Sequence, residues 1–158
     1  MNATKKGLVT GGVMILLSML FASLHALDSP AMYITYFTYA GGIMWTLIPF
    51  SLSEKNEGKF SGFFSEGFKC FVIVTLLMVI FWWTFYKLHP EIIEQIVISG
   101  SKQMQQQGNS TPAEINEKAA QVRKSALTII TSANVIKYLI LGALFTSFSS
   151  LLILKRKK

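Results

Sequence analysis

Two histidines, His25 and His89, are the side chains of this sequence best suited to proton transfer, because the ordinary histidine pKa lies near neutrality. His25 stands three residues before Asp28, where a pH-sensing role and a structural role are both open and the structural one is favoured. His89 has no second histidine, cysteine or suitably spaced carboxylate with which to bind a metal. Neither histidine belongs to a recognisable arrangement of nucleophile, base and orienting carboxylate. We therefore expect no enzyme activity, no metal and no cofactor.

Lys137 borders an apolar segment, and charged residues within a membrane often mark ion pathways. The alternative is structural, because the long stem of a lysine lets its ammonium reach outward and Asn134 lies one turn earlier. We favour this alternative, and we expect Lys137 and Asn134 to contact Asp28 or a cluster of tyrosines. The cluster consists of Tyr33, Tyr36 and Tyr39, of which the first two fit an interfacial aromatic belt.

The remaining candidates for chemistry are one thiol and two glycine pairs. Cys70 is the only cysteine, so it cannot form a disulfide within the chain, and we expect it to pack as a small apolar residue. The Gly7-x-x-x-Gly11 and Gly41-Gly42 pairs are not phosphate loops, because they lack the lysine and hydroxyl residue that such loops need.

Small residues form one-sided tracks at helical spacing, and such tracks let helices approach closely in lipid. Two explanations are open: packing within the chain, which is favoured, and association with a second copy or another membrane protein. For the second case, Gly7, Gly11 and Gly142 are predicted partner-binding residues. The tracks comprise Gly7, Gly11, Ser18, Ala22 and Ala26 in one segment, and Gly142, Thr146 and Ser150 in another.

The segments that carry these residues are apolar enough to cross a membrane. Of 158 residues, 51% are hydrophobic and 15% are charged, whereas soluble domains have about 25% charged residues. The charged residues avoid four segments of 17 to 22 residues, and about 20 helical residues cross a bilayer core. The predicted spans are 7–27, 31–52, 70–86 and 138–154.

Basic residues predict the orientation of these spans, because cytoplasmic loops are enriched in lysine and arginine. With both termini inside, nine basic residues fall in 27 inside positions and six fall in 54 outside positions. The sequence therefore predicts cytoplasmic termini and an outer region between spans three and four. The terminal run of Lys155, Arg156, Lys157 and Lys158 is predicted to bind lipid headgroups and not nucleic acid.

Phenylalanines dominate the segment that leads into the third span. Their helical spacing predicts an amphipathic segment in the plane of the inner headgroups, with its aromatic face toward lipid or the core. A groove for a partner is the alternative. The aromatic face consists of Phe60, Phe63, Phe64, Phe68 and Phe71.

The outer region predicts two helices. Apolar spacing in 91–104 indicates an amphipathic helix that ends near Gly108. Thr111, Pro112 and Glu114 then form a helix-start signal, with the threonine and the glutamate as a capping box. Downstream, apolar residues alternate at spacings of four and three, as in the seam of a coiled coil. The seam comprises Ile115, Ala119, Val122, Ala126, Ile129, Ala133, Ile136 and Ile140.

These patterns predict an all-α membrane protein with four transmembrane helices and an extracytoplasmic antiparallel helical hairpin between helices three and four. Residues 88–136 would form the hairpin, and one helix would continue from about Pro112 into the fourth span. Alanines in the seam bury little area, so we expect the hairpin to be marginally stable alone and to need either the anchoring spans or a partner. The predicted partner-binding residues of the hairpin are Ile115, Ala119, Val122 and Ala126.

Several stretches together resemble a known family. They are KGLVTG at 6–11, SGFFSEGFK at 61–69, YKLHP at 86–90 and LILKRKK at 152–158. Over essentially its whole length the chain is similar to small bacterial inner-membrane proteins, common in Bacteroidetes, catalogued as domain of unknown function 4199. The resemblance implies a four-helix protein of the bacterial inner membrane, and it implies no activity.

Two functions follow as hypotheses. The leading one is a structural or accessory membrane component that acts through helix–helix association. Its partners would be the lipid bilayer and either a second copy or another membrane protein. The alternative is a small oligomeric transporter or channel subunit with its pathway between chains, for which the polar candidates are Thr75, Ser147, Ser149 and Ser150.

Overall fold

The computed structural model describes residues 1–24, 30, 33–53, 58–108 and 111–156. The described residues form five α-helices and no strand, and the chain divides into two compact units. The first unit is Met1–Val79 with Val135–Lys158, and the second is Ile80–Asn134. The helices are α1 (Ala3–Ser23), α2 (Tyr33–Ser51), α3 (Phe60–Leu88), α4 (Pro90–Gln107) and α5 (Pro112–Arg156).

Three of the described helices, α1, α3 and α5, are long and apolar enough to cross a membrane. By length and composition the chain is therefore a membrane protein. The helix α2 has 19 residues and is not among the three. Its tyrosines, threonines and glycines lower its mean hydropathy, although it carries no charged residue.

Contacts between helices fix their directions within the first unit. Gly7 lies against Cys70 and Gly11 lies against Leu77, so α1 and α3 run parallel. Both α2 and α5 run antiparallel to α3, because their later residues contact its earlier ones. The four helices of this unit therefore alternate in direction along the chain. The antiparallel pairs are Phe50 with Phe63 and Tyr39 with Phe71 for α2, and Thr146 with Gly67 and Gly142 with Phe71 for α5.

The first unit buries small polar residues beside apolar ones and exposes many large apolar residues. Phe37 is 77% exposed and Leu16 is 68% exposed, whereas Thr146 and Ser150 are fully buried. So many exposed large apolar side chains suit a surface that faces lipid. The buried polar side chains of this unit are Lys6, Thr10, Ser18, Thr35, Thr46, Ser51, Thr75, Thr146, Ser149 and Ser150.

The predicted boundary between α4 and α5 is confirmed by its caps. The helix α4 ends at Gly108, which adopts the left-handed backbone conformation with φ of 67° that glycine favours. At the start of α5, the Thr111 amide donates to Glu114 Oε2 at 2.8 Å, and the Glu114 amide donates to Thr111 Oγ1 at 3.3 Å. This is the capping box that the sequence predicts.

The phenylalanine-rich segment is not a separate helix. It is the first part of α3, which runs without a break for 29 residues from Phe60. Phe63 is fully buried with its ring 5.3 Å from that of Phe50, and Gly67 packs against Thr146. These contacts with α2 and α5 keep the segment in the helical bundle.

The predicted seam of α5 is covered within the chain only as far as Ala126. Ile115 and Ala126 are buried, but Ile129, Ile136 and Ile140 are 54%, 59% and 55% exposed. Small and polar residues spaced by four replace the isoleucines on the buried face, because close packing in lipid favours small side chains and leaves branched apolar ones outside. The residues that form this buried face are Asn134, Tyr138, Gly142, Thr146 and Ser150.

Candidate functional site

Glycines join α1, α2 and α3 at one junction in the first unit. A Cβ atom on Gly42 would collide with the Thr10 side chain, and one on Gly7 would lie 2.7 Å from the Cys70 carbonyl oxygen. The buried Cys70 thiol donates weakly to the Gly42 carbonyl at 3.9 Å. The backbones of the three helices therefore approach one another closely at these glycines, and larger side chains there would prevent this approach.

Tyr39 forms a second junction, between α2, α3 and α5. Its side chain is fully buried, and its hydroxyl lies 3.1 Å from the Tyr138 carbonyl oxygen and 3.5 Å from that of Phe71. Gly142 provides the space for this hydroxyl, because a Cβ atom there would collide with it. The edge-to-face contacts of Tyr39 with Tyr138 and Phe145 complete the junction.

Lys6 is buried, and it compensates for a proline in a neighbouring helix. Pro49 lies inside α2 and has no N–H to donate to the Trp45 carbonyl four residues earlier. The Lys6 ammonium donates to that carbonyl at 3.0 Å and lies 5.7 Å from the centre of the Trp45 ring. Lys6 thus satisfies a backbone acceptor that would otherwise be left without its helical donor.

Lys137 lies against tyrosines, as the sequence predicts. Its ammonium is 5.7 Å from the centre of the Tyr36 ring and 5.3 Å from that of Tyr138. Tyr33 and Tyr36 are also in ring contact, with their centres 6.3 Å apart. The predicted alternative contact with Asp28 falls outside the described residues.

In the second unit, an ion pair joins α4 to the first part of α5. Arg123 Nε donates to Glu94 Oε2 at 2.7 Å, and Arg123 Nη2 contacts Glu94 Oε1. The Arg123 guanidinium lowers the pKa of the Glu94 carboxyl below its ordinary value, and that carboxylate raises the pKa of Arg123. Both side chains are exposed, so the pair orients the helices more than it stabilises them.

An open cavity of about 540 Å³ lies beside this ion pair. Its lining combines small apolar side chains with amides and cations and contains no aromatic residue, unlike most pockets for small molecules. The lining residues are Val97, Ile98, Ser101, Lys102, Gln105, Asn116, Ala119 and Arg123.

A family model described as "Protein of unknown function (DUF4199)" matches residues 5–155. The chain belongs to this family. No curated protein and no solved structure matches it. The match of this DUF4199 protein extends from α1 to α5, so it includes residues of both units.

The glycines predicted to bind a partner have contacts within the DUF4199 chain. Gly7, Gly11 and Gly142 all lie against neighbouring helices, as packing within the chain requires. Any further contact with a partner stays a prediction.

Predicted partner-binding residues of the second unit are largely covered by the same chain. Ile115 and Ala126 are buried, Ala119 lines the cavity, and Val122 is half-buried. At the end of α5, Lys155 and Arg156 are exposed, and Lys157 and Lys158 fall outside the described residues. His25, which follows α1, also falls outside them.

The polar residues predicted for a transport pathway lie mostly inside the first unit of this DUF4199 protein. Thr75, Ser149 and Ser150 are buried, and Ser147 is half-buried. The Ser150 hydroxyl donates to the Thr146 carbonyl of its own helix at 2.6 Å. Since its hydrogen is used in this way, the Ser150 hydroxyl has only acceptor capacity left for a solute.

Sequence reasoning missed Lys6, Thr10 and Gly42. Pro49 was a usable signal for Lys6, because a proline within a span implies an orphan carbonyl that needs a donor. No comparable signal in the sequence pairs Thr10 with Gly42, since their contact depends on how α1 and α2 face each other.

Proposed function

We propose that this protein is a four-span protein of the bacterial inner membrane with both termini in the cytoplasm. It is a structural or accessory component that acts through helix–helix association and has no catalytic activity of its own. The alternating helix directions of the first unit support four crossings, because α1 and α5 then run in opposite directions. The density of basic residues supports the orientation.

Residues 88–136 form the extracytoplasmic antiparallel hairpin in this proposal. Glu94, early in α4, pairs with Arg123, whereas Gln105, near the end of α4, shares a cavity with Asn116, earlier in α5. This order of contacts supports an antiparallel pair. The positively charged Lys87 and Lys137 flank it outside the apolar spans.

The proposal of association is based on the exposed part of the α5 seam. Residues up to Ala126 are covered within the chain, whereas Ile129 and Ile136 remain exposed at heptad spacing. An identical seam in a second copy would match it, because a symmetric helix pair brings the same residues together. We propose a homodimer whose two α5 helices meet along Ile129, Ala133 and Ile136.

Cysteine crosslinking in membranes tests this dimer. A Cys70→Ala background removes the one native thiol, and single cysteines then replace Ile129 or Ala126. We expect Ile129→Cys to form a disulfide-linked dimer under mild oxidation, because its side chain lies on the free seam. Ala126→Cys is the matched control on the same helix, and its buried position should keep it monomeric. Equal crosslinking of the two variants, or none at Ile129, would reject the proposed dimer.

An oligomeric transporter or channel has less support. Its pathway between chains would require the polar residues at a surface shared by two copies. Thr75, Ser149 and Ser150 are instead buried within one chain. A flux assay in vesicles separates the two functions. Flux that is abolished by Ser147→Leu, which alters the one half-buried candidate, would favour the transporter over the structural component.

A further inference from the structure

Lys137 carries a charge for which the described residues provide no hydrogen-bond acceptor. Its ammonium faces the rings of Tyr36 and Tyr138 at 5.7 and 5.3 Å. Aromatic faces stabilise a cation, but they do not replace the anionic oxygens that an ammonium with three N–H donors prefers. The charge is therefore only partly compensated by the part of the chain that the structure describes.

The surroundings of Lys137 are apolar and exposed. Phe37 on α2 and Ile140 on α5 lie within one turn of Tyr36 or Lys137 along their helices, and each is more than half exposed. In a membrane-spanning unit such residues face acyl chains, where an unpaired charge is costly. A suitable partner therefore combines an anionic group with apolar chains.

We propose that Lys137 with Tyr36 and Tyr33 forms a binding site for the phosphate of an anionic phospholipid. The ammonium contacts a phosphate oxygen, the exposed Tyr33 and its neighbour Tyr36 contribute the interfacial aromatic surface, and the acyl chains lie along Phe37 and Ile140. This inference rests on the proposed function only for its location, which is the outer leaflet.

Photolabelling of the full-length protein in nanodiscs tests the site. The probe is phosphatidylglycerol with a photoreactive acyl chain, and the comparison probe is phosphatidylcholine with the same chain. We expect phosphatidylglycerol to label the peptide around Ile136 and Ile140 about fivefold more than phosphatidylcholine, the ratio that one lysine near the headgroups provides. Free inorganic phosphate at millimolar concentration should not compete, because it lacks the acyl chains.

Lys137→Gln is the decisive variant, and Lys124→Gln is its matched control with the same charge change on the same helix. Lys137→Gln should abolish the preference for phosphatidylglycerol at this peptide, whereas Lys124→Gln should leave it unchanged. An unchanged preference in Lys137→Gln would overturn the proposal, and so would equal effects of the two variants. Competition by free phosphate would also overturn it, since the site would then bind the anion without the lipid.

The wild-type protein keeps the proposal testable if Lys137→Gln does not fold. Equal labelling of the wild-type peptide by the two lipids would by itself reject the site. The crosslinking of Ile129→Cys measures association separately, so failure of the lipid site leaves the dimer proposal intact and the reverse also holds.

Discussion

Pro49 and Lys6 are 43 positions apart, yet the missing N–H of the one is compensated by the ammonium of the other. Lys6→Met should destabilise the folded protein by about 1–3 kcal/mol, because it leaves the Trp45 carbonyl without its donor. Pro49→Ala restores a backbone N–H at that position, so the same lysine substitution should cost less in a Pro49→Ala background. Unfolding in detergent micelles measures the four free energies of this cycle.

Lys5→Met is the control for this cycle, because Lys5 is exposed and its neighbour Lys6 is buried. It should have little effect in either background. Additive effects of Lys6→Met and Pro49→Ala would show that the two residues act independently.

Gly142 provides a second prediction at the scale of single residues. Gly142→Ala places a methyl group against the Tyr39 hydroxyl and the Phe71 ring, and such overpacking costs about 1–3 kcal/mol. Gly41→Ala is the matched control, since a Cβ atom on Gly41 has open space and alanine favours a helix more than glycine does. Thermal unfolding in detergent should show a lower midpoint for Gly142→Ala only.

At the scale of elements, the ion pair between α4 and α5 should respond to acid. The pKa of Glu94 is lowered by Arg123, so the contribution of the pair is complete above the ordinary glutamate pKa of about 4.3. It is lost as the pH falls through the lower folded value. Hydrogen exchange in α4, corrected for intrinsic rates, should therefore increase in acid, and Glu94→Gln should show the increase already at neutral pH.

Glu117→Gln provides the comparison for Glu94→Gln, because Glu117 is an exposed acidic residue of α5. It should leave exchange in α4 unchanged. If both variants had the same effect, overall charge and not the specific ion pair would control the contact.

The element starts and ends were predictable where local chemistry determines them. The Thr111–Glu114 capping box and the Gly108 terminus depend only on nearby residues, and the structure has both. Burial of the α5 seam within the chain was predictable only as far as Ala126. Its pattern continues in the sequence, but which face is covered depends on the neighbouring helices, and there Gly142 and Thr146 provide closer packing than isoleucines can.

The candidate site was predictable in part. The contact of Lys137 with Tyr36 follows from their positions at the ends of adjacent apolar segments. The glycine track could be recognised in the sequence, but the residue that each glycine contacts could not. A track shows which face of a helix has small side chains, and it does not show which neighbouring helix packs against that face. The Lys6 contact required combining a missing donor in one helix with a cation in another.

At the scale of the whole molecule, labelling of single cysteines determines the number of crossings. In a Cys70→Ala background, cysteines replace Thr4, Lys59, Gln106 or Arg156, all of which are exposed. With four spans, an impermeant maleimide added to intact cells should label only Gln106→Cys. Lysed cells, in which all four variants should react, provide the control.

Three spans would give a different labelling pattern. If α2 did not cross the membrane, Thr4→Cys and Arg156→Cys would lie on opposite sides, so one of them would react in intact cells. That outcome would overturn the proposed topology and would also contradict the packing of α2 along α1 and α3.

The modest hydropathy of α2 has a consequence for biogenesis. When α2 emerges from the ribosome, its tyrosines and threonines have only α1 to pack against, through contacts such as Thr10 with Gly42. Weakly apolar segments insert from the translocon into lipid less readily than strongly apolar ones. We therefore expect α2 to insert together with α1, or only after α3 has been synthesised. Nascent chains arrested before residue 60 should therefore be extracted from membranes by alkali more readily than chains that include α3.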